Sequence, residues 1–377
     1  MHVALTGATG FLGLRLLRRL LDRHRSVTAL VHAGSGDALH RVTRFLELAD
    51  APEPLIAGLP DRLRVVETDL DAPRLGLSRR AFRALADGLD AIWHSAGSIN
   101  LEGDLPELRR TNVDGARHVL ELAAAGRAKP VVHHVSTAFV AGRRREGVAY
   151  EDELDDTAGF ENAYERSKYE AESLVRAWSA EHRRPVVVLR PSILVTDLPP
   201  HPDLPRHPLQ VVERILREAR GTVDTDGRPR LRLAGHPHGR LNLLQVDHAA
   251  DVMLRLADRT PTGGVDTYHI VHDRDVPVSL VVSVLERILP LSFELVPAAP
   301  DDPTTLEALV GFYPGLTAYL THRRRFDDTR VRALLGPSAV SGRVDLDYLV
   351  SGLVPEDDAR AGPPAVSATA LPSTGYA

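Results

Sequence analysis

The stretch Thr6-Gly7-Ala8-Thr9-Gly10-Phe11-Leu12-Gly13 decides the fold of this chain. It follows a short apolar run at residues 2–5, and leucines recur after it at the spacing of a helix. This order predicts a strand, a glycine turn and a helix whose N-terminal N–H groups bind phosphate. The glycines would permit the turn, the approach of a pyrophosphate and close packing of the helix on the strand. The candidate dinucleotide-binding residues here are Gly7, Thr9, Gly10, Phe11, Leu12 and Gly13.

The predicted second strand covers residues 26–31 and is followed by His32. An enzyme that prefers NADH usually carries an acidic residue at this point, where it accepts hydrogen bonds from the adenosine ribose. His32 stands there instead, so no carboxylate repels a 2′-phosphate. Arg15 and Arg41 are expected nearby. The sequence therefore favours NADPH as the cofactor without excluding NADH, and His32 is a candidate cofactor contact.

The alternation of strand and helix patterns continues along the chain, with a long amphipathic helix predicted over residues 105–125. The third, fourth and fifth predicted strands cover residues 63–68, 90–94 and 130–135. This alternation predicts an α/β fold, a Rossmann-type doubly wound parallel sheet that binds its ligands at the carboxyl ends of the strands. Asp69 and Leu70 follow the third strand, and Ser95 and Ala96 follow the fourth. We expect all four residues to contact the cofactor.

Tyr164 and Lys168 lie one turn apart on a predicted helix that follows the fifth strand. All but two of the 46 basic residues are arginine, so a lysine at position 168 is unusual in this chain. Thr137 comes at the end of the fifth strand. In a nicotinamide site, Lys168 would bind ribose hydroxyls and lower the pKa of the Tyr164 phenol, which would then donate a proton to a carbonyl oxygen held by Thr137. These three residues are the candidate catalytic group.

The composition limits the partners of the chain. It has 377 residues and a net charge of −5, which does not favour nucleic acid or an anionic membrane. The absence of cysteine excludes disulfides, thiolate metal sites and cysteine nucleophiles. The apolar pattern begins at Val3, so we expect neither a signal peptide nor a transit sequence, and no apolar run is long enough to cross a bilayer. We therefore expect a cytoplasmic protein.

Several motifs together resemble the extended short-chain dehydrogenase/reductase superfamily from residue 3 to about residue 335. The matching motifs are TGATGFLG at 6–13, Asp69-Leu70, HSAG at 94–97, NVDG at 112–115, VSTAFVAG at 135–142, YERSK at 164–168, RPS at 190–192 and LLQVDHAADVM at 243–253. The resemblance implies a catalytic triad of Thr137, Tyr164 and Lys168. It also implies a pyrophosphate turn at Gly7, Gly10 and Gly13, an adenine contact at Asp69, a structural role for Asn112, and Pro191 and Ser192 beside the nicotinamide.

Within this superfamily the chain is most similar to the thioester reductase and fatty acyl reductase branch, the male sterility type. That similarity rests on the sequences at residues 69–78, 91–105 and 136–142. It implies reduction of an acyl thioester, carried by CoA or by a carrier protein, to an aldehyde or an alcohol. The chain departs from the branch at His32, where arginine is usual. It also shows no adenylation or carrier domain, so we expect any carrier protein to act in trans.

The predicted domain organisation has two lobes and a tail. We expect residues 1–190 and 241–272 to form the NAD(P)-binding core, and residues 191–240 and 273–354 to form a smaller, mainly helical substrate lobe. Residues 355–377 are rich in proline, serine, alanine and glycine, a composition typical of disorder.

Other interpretations of single motifs stay open. Ser136 could replace Thr137 as the hydroxyl, although side chains alternate between the faces of a strand and the motif register favours Thr137. His133 and His134 fit a buried strand better than a catalytic site. His236 and His238 lack a third ligand nearby, so no metal site is expected. The arginine runs at 143–145 and 323–325 could attract CoA phosphates or an acidic carrier, but a solvated charge run is favoured.

Two other function classes compete with a thioester reductase. An epimerase or ketoreductase for a nucleotide sugar or another small carbonyl substrate would share the fold and the triad. A sugar dehydratase is disfavoured, because Thr137 is followed by Ala138 and Phe139 rather than by an acidic pair. A non-catalytic NADP-binding sensor would be expected to have lost part of the triad, and here the triad is complete.

Overall fold

The structure is a computed structural model, and it describes residues 1–223, 227–339 and 341–355. Apart from Pro355, the predicted disordered tail lies outside these residues. In the described part of the chain, no helix is both long enough and apolar enough to span a bilayer.

A seven-stranded sheet forms the centre of the molecule, and its parallel, doubly wound arrangement confirms the prediction. Its strands are β1 (Val3–Thr6), β2 (Val27–His32), β3 (Leu63–Thr68), β4 (Ala91–His94), β5 (Val131–Val135), β6 (Val186–Pro191) and β7 (Val265–Ile270). Their spatial order is β7-β6-β5-β4-β1-β2-β3, the order of a doubly wound fold extended by one strand. The order reverses direction at β1, between β4 and β2. Ligands of such sheets bind outside the carboxyl ends of the strands at this switch point.

Fifteen α-helices occur in the described residues. They are α1 (Phe11–Arg23), α2 (Ala38–Leu48), α3 (Glu53–Ala57), α4 (Leu59–Arg62), α5 (Arg79–Asp87), α6 (Leu105–Arg109), α7 (Gly115–Ala125), α8 (Ala163–His182), α9 (Pro208–Gly221), α10 (Val246–Ala257), α11 (Val278–Ile288), α12 (Thr305–Val310), α13 (Pro314–Thr317), α14 (Thr329–Leu335) and α15 (Leu346–Ser351). Helix α1 packs on one face of the sheet with α10. Apolar residues of α5, α7 and α8 form a core on the other face.

The C-terminal half of the chain builds a separate apolar core. This core takes most of its residues from α9, α11, α12 and the segments between them, and Phe139 joins it from the loop after β5. Short strand pairs outside the main sheet support it. The pairs are Ile193–Val195 with Leu243–Gln245, Arg230–Ala234 with Ser292–Val296, Arg240–Leu241 with Val276–Pro277, and Val148–Ala149 with Arg325–Phe326.

Two elements differ from the sequence-based expectation. The helix expected over 105–125 is divided into α6 and α7 by a turn of π-helix at Arg110–Asp114, because one extra residue is accommodated there. The lobe segment 191–240, expected to belong to a mainly helical lobe, also contains the strand Arg230–Ala234. This strand pairs with residues about 60 positions later in the chain, a contact that local periodicity cannot reveal.

Candidate active site

The turn after β1, residues 7–13, forms a cradle in which Gly7 and Gly13 have no room for a side chain. Gly7 has a φ of +70°, and a Cβ there would lie 2.7 Å from the backbone nitrogen of Ala96. A Cβ on Gly13 would lie 1.8 Å from the carbonyl oxygen of Gly7. Among the described residues no side chain caps α1 at Gly10, so the first N–H groups of the helix can receive an anion. The cradle therefore fits a dinucleotide pyrophosphate.

The loop after β4 is held against this cradle. Thr6, the last residue of β1, accepts a hydrogen bond at Oγ1 from the backbone N–H of Ala96 at 3.1 Å. The same oxygen lies 2.9 Å from Nδ1 of His94. The contact brings Ser95 and Ala96, two predicted cofactor contacts, next to Gly7.

The end of β2 presents an exposed His32, whose Nδ1 accepts a hydrogen bond from the N–H of Gly34 at 3.0 Å. The nearby carboxylate of Asp37 is engaged as the N-cap of α2. Arg41 lies on the first turns of that helix. Arg15, the other arginine expected nearby, is buried, and its guanidinium lies between the rings of Phe11 and Phe45.

Asp69 and Leu70 lie in a turn directly after β3. Asp69 is exposed, and its Oδ1 accepts a hydrogen bond from the N–H of Asp71 at 2.9 Å. The carbonyl oxygen of Leu70 lies 2.8 Å from Nδ1 of His118. The Leu70 side chain packs so close to Gly115 that a Cβ at position 115 would approach it to 3.2 Å. The turn is thus anchored to α7 and keeps the Asp69 carboxylate at the sheet edge.

Lys168 reaches from α8 to the end of β5. Its Nζ donates a hydrogen bond to the carbonyl oxygen of Val135 at 2.8 Å, and the residue is only 7% exposed. Burial lowers the pKa of Lys168 to about 8, although the charge of Glu172 opposes this effect. The ammonium therefore lies at the sheet edge two residues before Thr137.

The side chains of Tyr164 and Thr137 are hydrogen-bonded to each other at this edge of the sheet. Burial raises the pKa of Tyr164 to about 12, and a hydrogen bond with the Thr137 side chain opposes the rise. Desolvation of the phenol, which raises its pKa, therefore outweighs the effects that lower it in this arrangement. A phenol with this pKa keeps its proton at neutral pH and can donate it.

Ser136, the alternative hydroxyl, lies in a buried network. Its Oγ donates to Glu172 at 2.8 Å, and Glu172 accepts two bonds from Arg190 at 2.7 and 3.0 Å. The Ser136 hydroxyl is therefore engaged with Glu172, and Thr137 is the hydroxyl that lies beside Tyr164. Next to Arg190, Pro191 ends β6 and Ser192 follows it, both buried. The N–H of Ser192 donates to the carbonyl of Ile270 at 3.1 Å.

Asn112 connects three parts of the site from within the π-turn. Its Oδ1 accepts from the N–H of Ser98 at 2.8 Å, and its Nδ2 donates to the carbonyl of Ser98 at 3.0 Å. The same Nδ2 donates to Oγ of Ser167 at 2.8 Å. Asn112 is 2% exposed. It therefore fixes the loop after β4 relative to the turn of α8 that lies between Tyr164 and Lys168.

The arginine runs are largely exposed, as expected of solvated charge runs, with one exception. Arg143 and Arg145 stay exposed although they pair with Glu161, whereas Arg324 departs from the expectation because it is buried. His133 stacks on Trp93 with ring centroids 4.5 Å apart, inside the core. Among the described residues, no group of three or more His, Asp or Glu could hold a metal ion.

Sequence patterns did not reveal the part that the C-terminal lobe plays here. Tyr319 donates a hydrogen bond to Glu165, the residue after Tyr164, at 3.0 Å. Its ring also packs edge-on against Phe139, two residues after Thr137, with centroids 4.9 Å apart. The apolar pattern around residue 319 carries no signal that distinguishes this tyrosine from a core residue.

Most of the chain matches the model of a known protein family. The model of an NAD-binding family described as male sterility protein matches residues 5–253, a range that includes the glycine cradle and all three candidate catalytic residues. The chain belongs to this family. Members of the male sterility protein family bind a nicotinamide cofactor, and the chain is an NAD(P)-dependent oxidoreductase of the extended short-chain type.

Two curated relatives within this similarity are much larger proteins. Over 177 residues the chain is 38% identical to a component of the linear gramicidin synthase of Brevibacillus parabrevis, a match that covers 45% of the chain and 3% of that protein. Over 266 residues it is 28% identical to the large subunit of the L-2-aminoadipate reductase of Eremothecium gossypii, with coverage of 66% and 18%. The chain thus spans less than a fifth of the length of either relative.

A solved structure matches nearly the whole chain. The terminal R domain from the myxalamid PKS-NRPS biosynthetic pathway superposes with a TM-score of 0.73 at 25% sequence identity. The match covers 93% of this chain and 89% of that domain. The male sterility family assignment is therefore accompanied by a similarity in structure that extends into the C-terminal lobe.

Proposed function

We propose that this chain is an NADPH-dependent reductase of acyl thioesters, carried by CoA or by a carrier protein, with an aldehyde or an alcohol as product. The observation that supports the proposal most is the likeness to the R domain over 93% of the chain. That likeness takes in the second apolar core, and we propose that residues 191–240 and 273–354 form the substrate lobe.

The cofactor would be held by residues that fit it. Gly7, Gly10 and Gly13 would face the pyrophosphate, since a side chain at Gly7 or Gly13 would meet backbone. Other proposed contacts lie at the same sheet edge; they are Thr9, Phe11, Leu12, His32, Asp69, Leu70, Ser95, Ala96, Lys168, Pro191 and Ser192. When bound, the reduced nicotinamide supplies the hydride. NADPH is proposed over NADH because His32 takes the place of a carboxylate and Arg41 lies on the next helix.

Three side chains of this chain would stabilise charge and transfer a proton during reduction. Thr137 would hold the substrate carbonyl oxygen by a hydrogen bond. Tyr164 would donate its phenolic proton to that oxygen when negative charge develops on it, which gives a hemithioacetal. The C–S bond of the hemithioacetal would then break, and its hydroxyl proton would leave with the sulfur as the thiol of CoA or of the carrier, so that the aldehyde remains. The Lys168 ammonium would bind ribose hydroxyls and stabilise the phenolate that remains. The hydrogen bond to Val135 would keep the ammonium in this place.

The test follows NADPH oxidation with a panel of acyl-CoA, acyl-pantetheine, aldehyde, ketone and nucleotide-sugar substrates. We expect turnover with thioesters, and kcat/KM for NADPH above that for NADH. Tyr164→Phe should lower kcat by about 10²- to 10⁴-fold, the usual contribution of a positioned proton donor, while the Kd of NADPH stays unchanged. Activity on ketones or nucleotide sugars with none on any thioester would refute the proposed substrate class. Wild-type turnover by Tyr164→Phe would refute the proposed donor.

A further inference from the structure

The first turn of α8, which carries Tyr164, is held by a side chain from the C-terminal lobe. Asn162 is the N-cap of the helix, where its Oδ1 accepts from the N–H of Glu165 at 2.9 Å. The Glu165 carboxylate in turn accepts from the N–H of Glu161 at 2.9 Å. Tyr319 completes this arrangement, because its hydroxyl donates to Glu165 at 3.0 Å and accepts from Nδ2 of Asn162 at 2.9 Å. One phenol thus joins both capping residues of the turn.

Tyr319 also contacts the residue that supports Thr137. Its ring meets that of Phe139 at a centroid distance of 4.9 Å and an interplanar angle of 77°. The backbone N–H of Phe139 donates to Oγ1 of Thr137 at 3.3 Å. Thr137 follows β5, whereas Tyr164 lies on α8. Tyr319 is therefore placed to fix the separation between the two hydroxyl groups.

Burial of the Glu165 carboxylate costs free energy, which indicates that the carboxylate has a function at this position. The residue is 0% exposed, and burial raises its pKa while the charge of Arg324 lowers it. Arg324 comes from the same C-terminal segment as Tyr319. Its guanidinium stacks over Phe139 at 5.0 Å and donates to the carbonyl of Gly142. The lobe thus supplies both a hydrogen-bond donor and a positive charge to a carboxylate on the Tyr164 helix.

We propose that Tyr319 and Glu165 are positioning residues that hold the Tyr164 phenol in register with Thr137, so that assembly of the proton-donating pair depends on the seating of the C-terminal lobe. The inference rests on the proposed function, in which Tyr164 is the proton donor. A carboxylate-linked hydrogen bond contributes about 1.5–3 kcal/mol, which corresponds to a factor of about 10 to 150. The contact is therefore strong enough to set the orientation of one helical turn.

The test measures kcat, KM, the Kd of NADPH and Tm for Tyr319→Phe, with a thioester or any other substrate that the wild type reduces. We expect kcat to fall by about 10-fold or more, with the Kd of NADPH within about twofold of wild type. Glu165→Gln, which keeps an acceptor for Glu161 and a polar group for Tyr319, should retain more activity than Glu165→Ala. Tyr268→Phe removes a phenol on β7, outside the hydrogen-bond network at the start of α8, and should leave kcat unchanged.

Two comparisons separate this inference from the proposed function. If Tyr164→Phe is inactive but Tyr319→Phe keeps wild-type kcat, the positioning role is wrong and the donor assignment stands. If Tyr164→Phe turns over normally, the proposed function itself fails. A loss of kcat in Tyr319→Phe that is matched by equal weakening of NADPH binding also overturns the positioning role, since it indicates general unfolding. Should Tyr319→Phe not fold, Asn162→Ser keeps the helix cap, removes the donor to Tyr319 and must show the same selective loss of kcat.

Discussion

Lys168 Nζ donates a 2.8 Å hydrogen bond to the carbonyl oxygen of Val135. This bond joins α8 to the end of β5, two residues before Thr137. It gives the buried ammonium a fixed direction, and the Glu172 carboxylate on the same helix favours its charged form. Arginine could not replace it, because a guanidinium is wider and branched where lysine presents a compact charge. The lone lysine of this helix is thus explained by the geometry at the sheet edge.

The pH dependence of reduction should report the charge of Lys168. The pKa of Lys168 is about 8 and that of Tyr164 about 12, so both groups are protonated at neutral pH. We expect kcat/KM for the thioester to be constant at pH values well below 8, to reach half of that value near pH 8 and to fall further above it, as Lys168 loses its proton. The measurement is a profile of initial rates at saturating NADPH. In Lys168→Arg, whatever its remaining rate, this alkaline decline should disappear; a decline that persists would assign it to another group.

Gly13→Ala should weaken cofactor binding. The new Cβ would lie 1.8 Å from the carbonyl oxygen and 2.7 Å from the carbonyl carbon of Gly7, so the cradle must open. We expect the Kd of NADPH to rise at least about 10-fold, as befits the loss of a few hydrogen bonds to a charged group, and Tm to fall. Calorimetric titration and thermal melts give both quantities. Gly264→Ala is the control, since a Cβ there meets no atom within 4 Å, and it should match wild type.

Asn112→Ala should destabilise the protein and reduce its activity together. It removes three hydrogen bonds at a buried position and leaves the N–H of Ser98 unsatisfied. We expect a loss of about 1–3 kcal/mol in the free energy of unfolding. Urea denaturation and initial rates provide the measurements. Ser167→Ala keeps both bonds between Asn112 and Ser98, so it should lower the free energy of unfolding by less. An equal loss would show that the bond to Ser167, and not the two bonds to Ser98, accounts for the effect.

Glu172→Gln should weaken the buried network behind Ser136. Burial alone would raise the pKa of Glu172, but Arg190 lowers it overall, so the carboxylate is charged in the fold. Loss of that charge leaves Arg190, 1% exposed, without its counterion, at a cost of about 3–5 kcal/mol. Chemical denaturation at neutral pH tests this value. Glu218→Gln removes an exposed helical ion pair and should change stability by less than about 0.5 kcal/mol.

The buried pair of Glu172 and Arg190 also predicts a difference in stability at acid pH. Because the folded pKa of Glu172 is lowered, its contribution is complete above the ordinary glutamate pKa of about 4.3 and is lost as the pH falls through the lowered folded value. Wild type should therefore lose more stability than Glu172→Gln over this acid range. Parallel slopes of Tm against pH for the two proteins would show that Glu172 does not titrate with unfolding.

The sequence predicted the sheet and the neighbourhood of the site because these depend on local patterns. Residues 6–13 carry a turn that only glycine can form, and strand and helix periodicities repeat on either side. In a parallel sheet such patterns bring the carboxyl ends of β1, β4 and β5 to one edge. Thr137 and Tyr164 could therefore be placed together from the order of the elements alone. Their meeting with Lys168 at this edge follows from one-turn spacing on α8.

What the sequence by itself determined was thus the fold class, the male sterility family resemblance and the residue types at the sheet edge. Only the tertiary structure decided the raised pKa of Tyr164, the burial of Arg15 and Arg324, and the contact between Tyr319 and Glu165. These depend on how much water each group loses and, in the last case, on packing between positions 154 residues apart. Desolvation and long-range contacts are properties of the assembled core, and no local period in the chain encodes them.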